Sequence, residues 1–285
     1  MTPAASRSPD VASTIDAHVH VWGEELLDAA WLAAPAARPI RRAFGLGDLA
    51  PELVLAGVRH VVLVAADERD CAAQRLLAGA ADDPRVAAVV AGVDLTAPDV
   101  GTRLAALRAG PGGTLLRGVR QSLVGAPDSW WSTSAVAVGL AAVQRAGLLL
   151  ELLISPEQLP EAAALAQRCP SLPVVVDHLA NAARPGTDLA AWRRALTQLA
   201  RAPLAVAKLS SLGTDERTAV TLAGDARAVL GADRLLWGSD WPVLLLRDDY
   251  RGERARLDRL LAGWTPAERA AVLGGTAARV YGTLR

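Results

Sequence analysis

Eight short apolar runs, each followed by a longer Ala/Leu/Arg-rich stretch of helical period, govern what this chain can become. The runs cover residues 14–20 (TIDAHVH), 59–66 (RHVVLVAA), 86–93 (VAAVVAGV), 115–120 (LLRGVR), 148–154 (LLLELLI), 173–178 (PVVVDH), 204–210 (LAVAKLS) and 234–240 (RLLWGSD). After a longer first interval they begin about 25–35 residues apart, room for one strand, one helix and two loops. Strand-then-helix alternation without a break in composition predicts a parallel sheet covered by helices. Eight such units predict its closure into a single-domain (β/α)8 TIM barrel over residues 14–285. Barrels of roughly 250 residues fold as one domain, so the length agrees. A doubly wound open sheet is the alternative, but it would usually carry a Gly-rich phosphate loop after an early strand, and the sequence has none. Residues 1–13 carry no such pattern and are expected to be disordered.

Helix punctuation supports the same reading. Ser155-Pro156-Glu157-Gln158 and Thr265-Pro266-Ala267-Glu268 each present an N-cap, a proline at the first helical position and an amide or acid two residues later. Gly274-Gly275 is the expected stop of the second helix. Residues 21–58, with Pro35, Pro39 and Pro51, form an elaborated first strand-to-helix loop.

Charge narrows the partners. Thirty basic and thirty acidic side chains give no net charge, whereas a nucleic-acid partner calls for a basic surface. A small-molecule substrate is expected instead. No run of about 18 apolar residues exists to span a bilayer, and the first residues hold no signal-like apolar core, so membrane and export are not indicated. Cys71 and Cys169 are far apart and in no CxxC spacing, which fits a reduced, cytoplasmic compartment.

In a TIM barrel the chemistry gathers at the carboxyl ends of the strands. There the first run ends in Asp16-Ala17-His18-Val19-His20, and period-two alternation sends His18 and His20 to the same side. The fourth run ends at Arg120, the sixth at Asp177-His178, and the eighth leads into Gly238-Ser239-Asp240-Trp241-Pro242. Of four histidines, three thus stand at the predicted mouth; His60 begins its run, on the stability face, and reads as structural. A lone buried histidine is usually a satisfied core residue, but three facing one aspartate form a site. His18, His20 and Asp240 have the nitrogen and oxygen donors of a hydrolytic zinc site with an open position for water. The same residues also support metal-free chemistry, with Asp240 deprotonating water while the imidazoles and Arg120 polarise a carbonyl. Hence one zinc or other divalent ion, or none, is compatible with the set.

The motifs IDAHVHVW, GVRQSL, ELLISPEQL, VVVDHLA, VAKLSSL, RLLWGSDWPV and GGTAARVYG together resemble the amidohydrolase superfamily, in its branch of sugar-lactone and 2-pyrone-4,6-dicarboxylate lactonases. The resemblance runs from Ile15 to Gly282. It implies a barrel with one site at the mouth, His18 and His20 as the strand-1 pair, His178 as the strand-6 histidine, Asp240 as general base and Arg120 as a substrate contact. Relatives often carry His where Gln121 stands, DHLGKP where Ala180 and Asn181 stand, Asn at Thr276 and Gln at Ala65 or Ala66. The catalytic set is kept and the substrate shell altered. A two-metal centre is not expected, because strands 4 and 5 end in Arg120-Gln121 and Ile154-Ser155.

The expected activity is therefore opening of a lactone, with water activated by Asp240, His178 and Arg120 steadying the oxyanion, and Arg120, Gln121, Trp22 and Trp241 contacting substrate. Trp130 and Trp131 also fall on the mouth side, and Arg184 and Arg247 follow strands 6 and 8, where a guanidinium could take a carboxylate or simply lie on the surface. Lys208, the sole lysine, suits either a fixed role in the site or an ion pair inside the barrel. Two other classes stay open: a metal-dependent decarboxylase, exposed by carbon dioxide release, and a non-catalytic barrel that binds without turnover.

Overall fold

The structure is a computed structural model that describes residues 14–68 and 70–282; the segment 1–13, expected to be disordered, lies outside the described residues. Eight strands form one parallel sheet in chain order: β1 (Ile15–Val19), β2 (His60–Val64), β3 (Val86–Gly92), β4 (Leu116–Ser122), β5 (Leu149–Leu153), β6 (Val174–Val176), β7 (Ala205–Leu209) and β8 (Leu235–Trp237). The ring closes through a parallel bridge between Val19 and Trp241, with Asp240 N–H donating to His18 O at 2.9 Å and His20 N–H to Trp241 O at 2.7 Å. A helix follows each strand, among them Val100–Ala109, Ser134–Arg145, Leu189–Leu199 and Glu216–Leu230. This is the (β/α)8 barrel the alternating runs predict.

Alternation along each strand sorts the apolar side chains into two cores. Val62 and Val64 of β2 join Ile15, Ala17, Val90, Val175, Val206 and Leu236 inside the barrel, while Val61 and Leu63 pack outward against the helices. Each such side chain, fully buried, contributes about 1.5–3 kcal/mol relative to exposure. Tyr281 closes the barrel floor from the last helix. Two residues above the inner Leu149, Val175 and Val206, the same rows turn polar as Glu151, Asp177 and Lys208. An apolar floor thus carries a buried polar storey directly beneath the mouth.

Local signals mostly read as expected. Thr265 caps its helix, its hydroxyl accepting from Glu268 N–H at 3.3 Å while Glu268 accepts from Thr265 N–H at 2.8 Å. Ser155 N–H is held by Gln158 at 2.9 Å, as the paired motif requires. Several boundaries differ: β6 and β8 stop at Val176 and Trp237, so His178 and Asp240 stand in the turns beyond them. β4 runs on to Ser122, because Gln121 and Ser122 continue the ladder with Leu152 and Leu153 of β5. Gly274-Gly275 does not end the last helical segment; a π turn over Ala271–Gly275 kinks it into Thr276–Tyr281, and Gly282, with φ of 60°, terminates it. Among the described residues, no helix is long and apolar enough to cross a membrane.

Candidate active site at the barrel mouth

His18 and His20 reach the mouth through a slip in β1. Ala17 belongs to the inner core and Val19 to the outer, although they stand two residues apart, and the pairing with β2 shifts register between Asp16 and Val19. Such an irregularity re-aims side chains, here turning both imidazoles inward with Nε2 atoms 3.1 Å apart. Asp16 points the other way and anchors the seam. Its carboxylate accepts from His18 N–H at 3.1 Å, Ser239 N–H at 2.8 Å and Tyr250 O–H at 2.9 Å. Burial nonetheless pushes its pKa up to about 6.

Asp240 sits opposite, after β8. Its Oδ1 lies 3.5 Å from His20 Nε2, 3.7 Å from His18 Nε2 and 4.0 Å from His178 Nε2. Burial works against its charge, but the neighbouring His178, His20 and His18 outweigh it and hold the carboxyl well below the usual range. Gly238 makes the approach possible: a Cβ there would stand 2.5 Å from His18 Cβ.

His178 is delivered by an unusual turn. His178, Leu179, Ala180 and Asn181 have φ of 53°, 50°, 60° and 55°, four consecutive left-handed residues without a glycine. Left-handed backbone costs such residues roughly 1–2 kcal/mol each. Two anchors oppose that cost: Trp192 Nε1–H donates to Leu179 O at 2.9 Å and Asn181 Nδ2–H to Ile154 O at 2.8 Å. Asp240 itself, at φ of 64°, is also left-handed, as is Ser211 at 50°. Strain gathered in this way marks a functional region.

Beneath the imidazoles lies the polar storey. Lys208 Nζ donates to Glu151 at 2.6 Å and stands 3.2 Å from Asp177 Oδ1 and 3.1 Å from His18 Nδ1. Tyr281 O–H donates to the other oxygen of Glu151. Arg120 binds Asp177 Oδ2 at 3.2 Å and Ala65 O at 2.8 Å. Burial opposes the Asp177 charge, yet Lys208, His18 and Arg120 keep its pKa well below normal, whereas burial wins at Glu151 and raises it. Lys208 is thus an ion-pair partner inside the barrel that also touches the first histidine. Asp177, Glu151, Ser210 and Ser211 had no place in the sequence-based site. The signal for the two acids was available, since each lies two residues beyond an inner apolar position.

The donor set fits a zinc ion. His20 Nδ1 faces Val64 O at 2.7 Å, so it carries the proton and leaves the Nε2 lone pair aimed at His18 and Asp240. Asp177 Oδ1 is buried without a hydrogen bond and lies 3.3 Å from His18 Nδ1, ready to receive the proton that would free His18 Nε2. Burial, reinforced by Lys208, lowers the His18 pKa well below its ordinary value against the pull of Asp177; burial likewise lowers that of His178. Ligand atoms of His18, His20 and Asp240 all lie within 4.8 Å of one another.

The remaining expected contacts occupy the rim. Gln121 is buried, its NH2 donating to Val93 O at 2.6 Å and Arg120 O at 2.9 Å, which ties β4 to β3. Trp22 and Trp241 are buried on either side of Phe44, with ring centroids 5.6 and 5.3 Å from it, and Trp22 Nε1–H donates to Arg42 O. The Trp22 ring lies 6.4 Å from His20. Trp130 and Trp131 pack edge to face after β4. Arg184 is exposed, and Arg247 is half-buried between Ser239 O and Glu253. A cavity of about 530 Å³ opens outside the barrel between Trp22, Phe44, Leu63, Leu76 and Arg85, beside rather than over the histidines.

Comparison with known proteins adds four findings. The amidohydrolase family model matches residues 15–283. The L-fucono-1,5-lactonase of Burkholderia ambifaria is 34% identical over 281 residues, 94% of each chain. The crystal structure of an amidohydrolase from Burkholderia multivorans with bound zinc superposes with a TM-score of 0.89 at 32% identity, covering 96% of this chain and all of that one. By contrast, the 5-carboxyvanillate decarboxylase of Sphingomonas paucimobilis, at 16% identity and a TM-score of 0.64 over 96% of this chain and all of that one, shares the fold alone.

Proposed function

The chain belongs to the amidohydrolase family, and on that footing we propose that it hydrolyses a lactone, with a sugar 1,5-lactone as the favoured substrate class. One observation carries the reading: three imidazoles converge on a single oxygen of Asp240 at the mouth of the barrel. The 34% identity to an L-fucono-1,5-lactonase over nearly the whole chain supports the substrate class.

Water attacks the ring carbonyl while Asp240 Oδ1 accepts one of its protons. His178 Nε2 and the Arg120 guanidinium steady the negative charge developing on the carbonyl oxygen. The acyl C–O bond of the ring then breaks, and Asp240 returns the proton to the leaving alkoxide, giving the open hydroxy acid. Zinc, when bound by His18, His20 and Asp240, would lower the pKa of the attacking water and polarise the carbonyl. Asp177 and Lys208 keep His18 oriented from below. The burial that lowers the pKa values of His18 and His178 favours their neutral forms, which suits them to offer lone pairs.

Neither alternative has a specific observation in its favour. A pure binder has no use for a carboxylate held ionised among three imidazoles. The test is a panel of aldonolactones, led by L-fucono-1,5-lactone, and of carboxylated lactones, followed by acid release with and without a chelator. Release on the sugar lactones is expected; silence across the whole panel would refute the proposal. Loss with chelator and recovery with zinc would assign the metal.

A further inference from the structure

In a regular strand, neighbouring residues face opposite sides, so two successive residues cannot both serve one site. Beyond β7 they do. Lys208 and Ser210 face the barrel interior by alternation, and Ser211 should therefore turn away. Its left-handed backbone, with φ of 50°, swings it back. Ser210 Oγ is hydrogen-bonded to His178 Nδ1 at 2.7 Å, and Ser211 Oγ–H donates to Asp240 Oδ2. One strand end thus holds the far side of each reacting residue: Lys208 behind His18, Ser210 behind His178 and Ser211 behind Asp240.

We propose that Ser211 is a positioning residue for the catalytic acid: by occupying Oδ2 it leaves Oδ1 alone to face the three histidines. A carboxylate free to rotate about its Cβ–Cγ bond would exchange its two oxygens and lose the fixed direction that proton transfer and metal ligation require. Ser210 does the same for His178, fixing which ring nitrogen points at Asp240. The left-handed conformation of Ser211 is the device that lets two adjacent residues share the task. The proposal rests on Asp240 being the acting acid.

The experiment separates hydroxyl from backbone. Ser211→Gly keeps the left-handed turn, indeed relaxes it, and removes the hydroxymethyl side chain that reaches Asp240. Ser211→Asn also tolerates that conformation and restores a donor. Full-length wild type, Ser211→Gly and Ser211→Asn are compared by crystal structure, by zinc titration against a chromophoric chelator, and by kinetics on L-fucono-1,5-lactone. In Ser211→Gly the Asp240 carboxylate is expected to rotate, zinc affinity to weaken by about 10- to 100-fold, and kcat to fall by a similar factor with KM within about twofold. Ser211→Asn is expected to recover part of each loss, which a merely structural role would not produce. Ser211→Gly with the wild-type Asp240 orientation, zinc affinity and kcat would overturn the proposal. If wild type opens no lactone, the substrate reading fails separately, and the orientation of Asp240 in the Ser211→Gly crystal still decides the role of Ser211.

Discussion

The two halves of the barrel mouth are built on different terms. After β6, β7 and β8 the chain carries every left-handed non-glycine residue among those described: His178, Leu179, Ala180, Asn181, Ser211 and Asp240. After β2, β3, β4 and β5 the described residues include none. That second half is held instead by side chains reaching backbone carbonyls, as Arg120 reaches Ala65 and Gln121 reaches Val93. Strain gathers where His178 and Asp240 are presented and is absent where Arg120 and Gln121 brace the wall. The strained half can therefore be relaxed by mutation at some positions and not at others.

The largest effect is expected at the centre of that half. Asp240→Asn removes the acid yet keeps size and polarity, and should lower kcat by about 10²–10⁴-fold. Far-ultraviolet circular dichroism should stay that of wild type; a near-normal rate would remove Asp240 from its role. Gly238→Ala comes next, because the added methyl meets His18 Cβ at 2.5 Å and its backbone N at 3.0 Å. The seam must open, at about 1–3 kcal/mol of stability, with activity falling alongside. Denaturant unfolding and kinetics on the same sample check both.

A smaller and opposite effect sharpens the contrast between the halves. Ala180 stands at φ of 60°. Ala180→Gly should stabilise by about 0.5–1 kcal/mol, the relief of left-handed strain exceeding the entropy a glycine adds to the unfolded chain. The same exchange at Ala66, on the relaxed half and not left-handed, should destabilise by about 0.4–1 kcal/mol. Equal signs in chemical denaturation would erase the distinction.

The smallest effect belongs far from the mouth. Glu268, bonded to Arg227 at 2.7 and 2.8 Å, has its pKa lowered to about 2 by that pair first and by Thr265 second. A depressed carboxyl stabilises the fold above its unfolded pKa of about 4.3, and the contribution fades as pH falls through about 2. Glu268→Gln should move the melting temperature only slightly at pH 7, with the difference vanishing near pH 2.

What the sequence made legible, and what it hid, follows the same division. All eight strands were readable because apolar period and spacing repeat along the chain, and the histidine pair and Asp240 because few other residues share their chemistry. The left-handed turn was not readable: Leu179 and Ala180 have no preference for it, and only Asn181 hints at it. Ser211 escaped for the same reason, since alternation assigns it outward. The pairing of Lys208 with Glu151, Asp177 and His18 joins strands far apart in sequence, and a lone charge in an apolar run does not name its partner. Gln121, Trp22 and Trp241 could be placed at the mouth, but whether their polar atoms are spent on the backbone depends on loops whose path no local pattern fixes.

The seam between β1 and the residues after β8 has a further consequence. The imidazole pair comes from the first strand of the ring and its facing carboxylate from beyond the last, joined through His18 O, Trp241 O and the buried Asp16. A nascent chain that has made seven strands holds all three imidazoles, with Asp16, Glu151 and Asp177 beside and beneath them, but lacks the carboxylate they face. With Asp240 as the proposed base, turnover would report completion of the ring itself, and a fragment cut before β8 would be silent however well its other strands had paired.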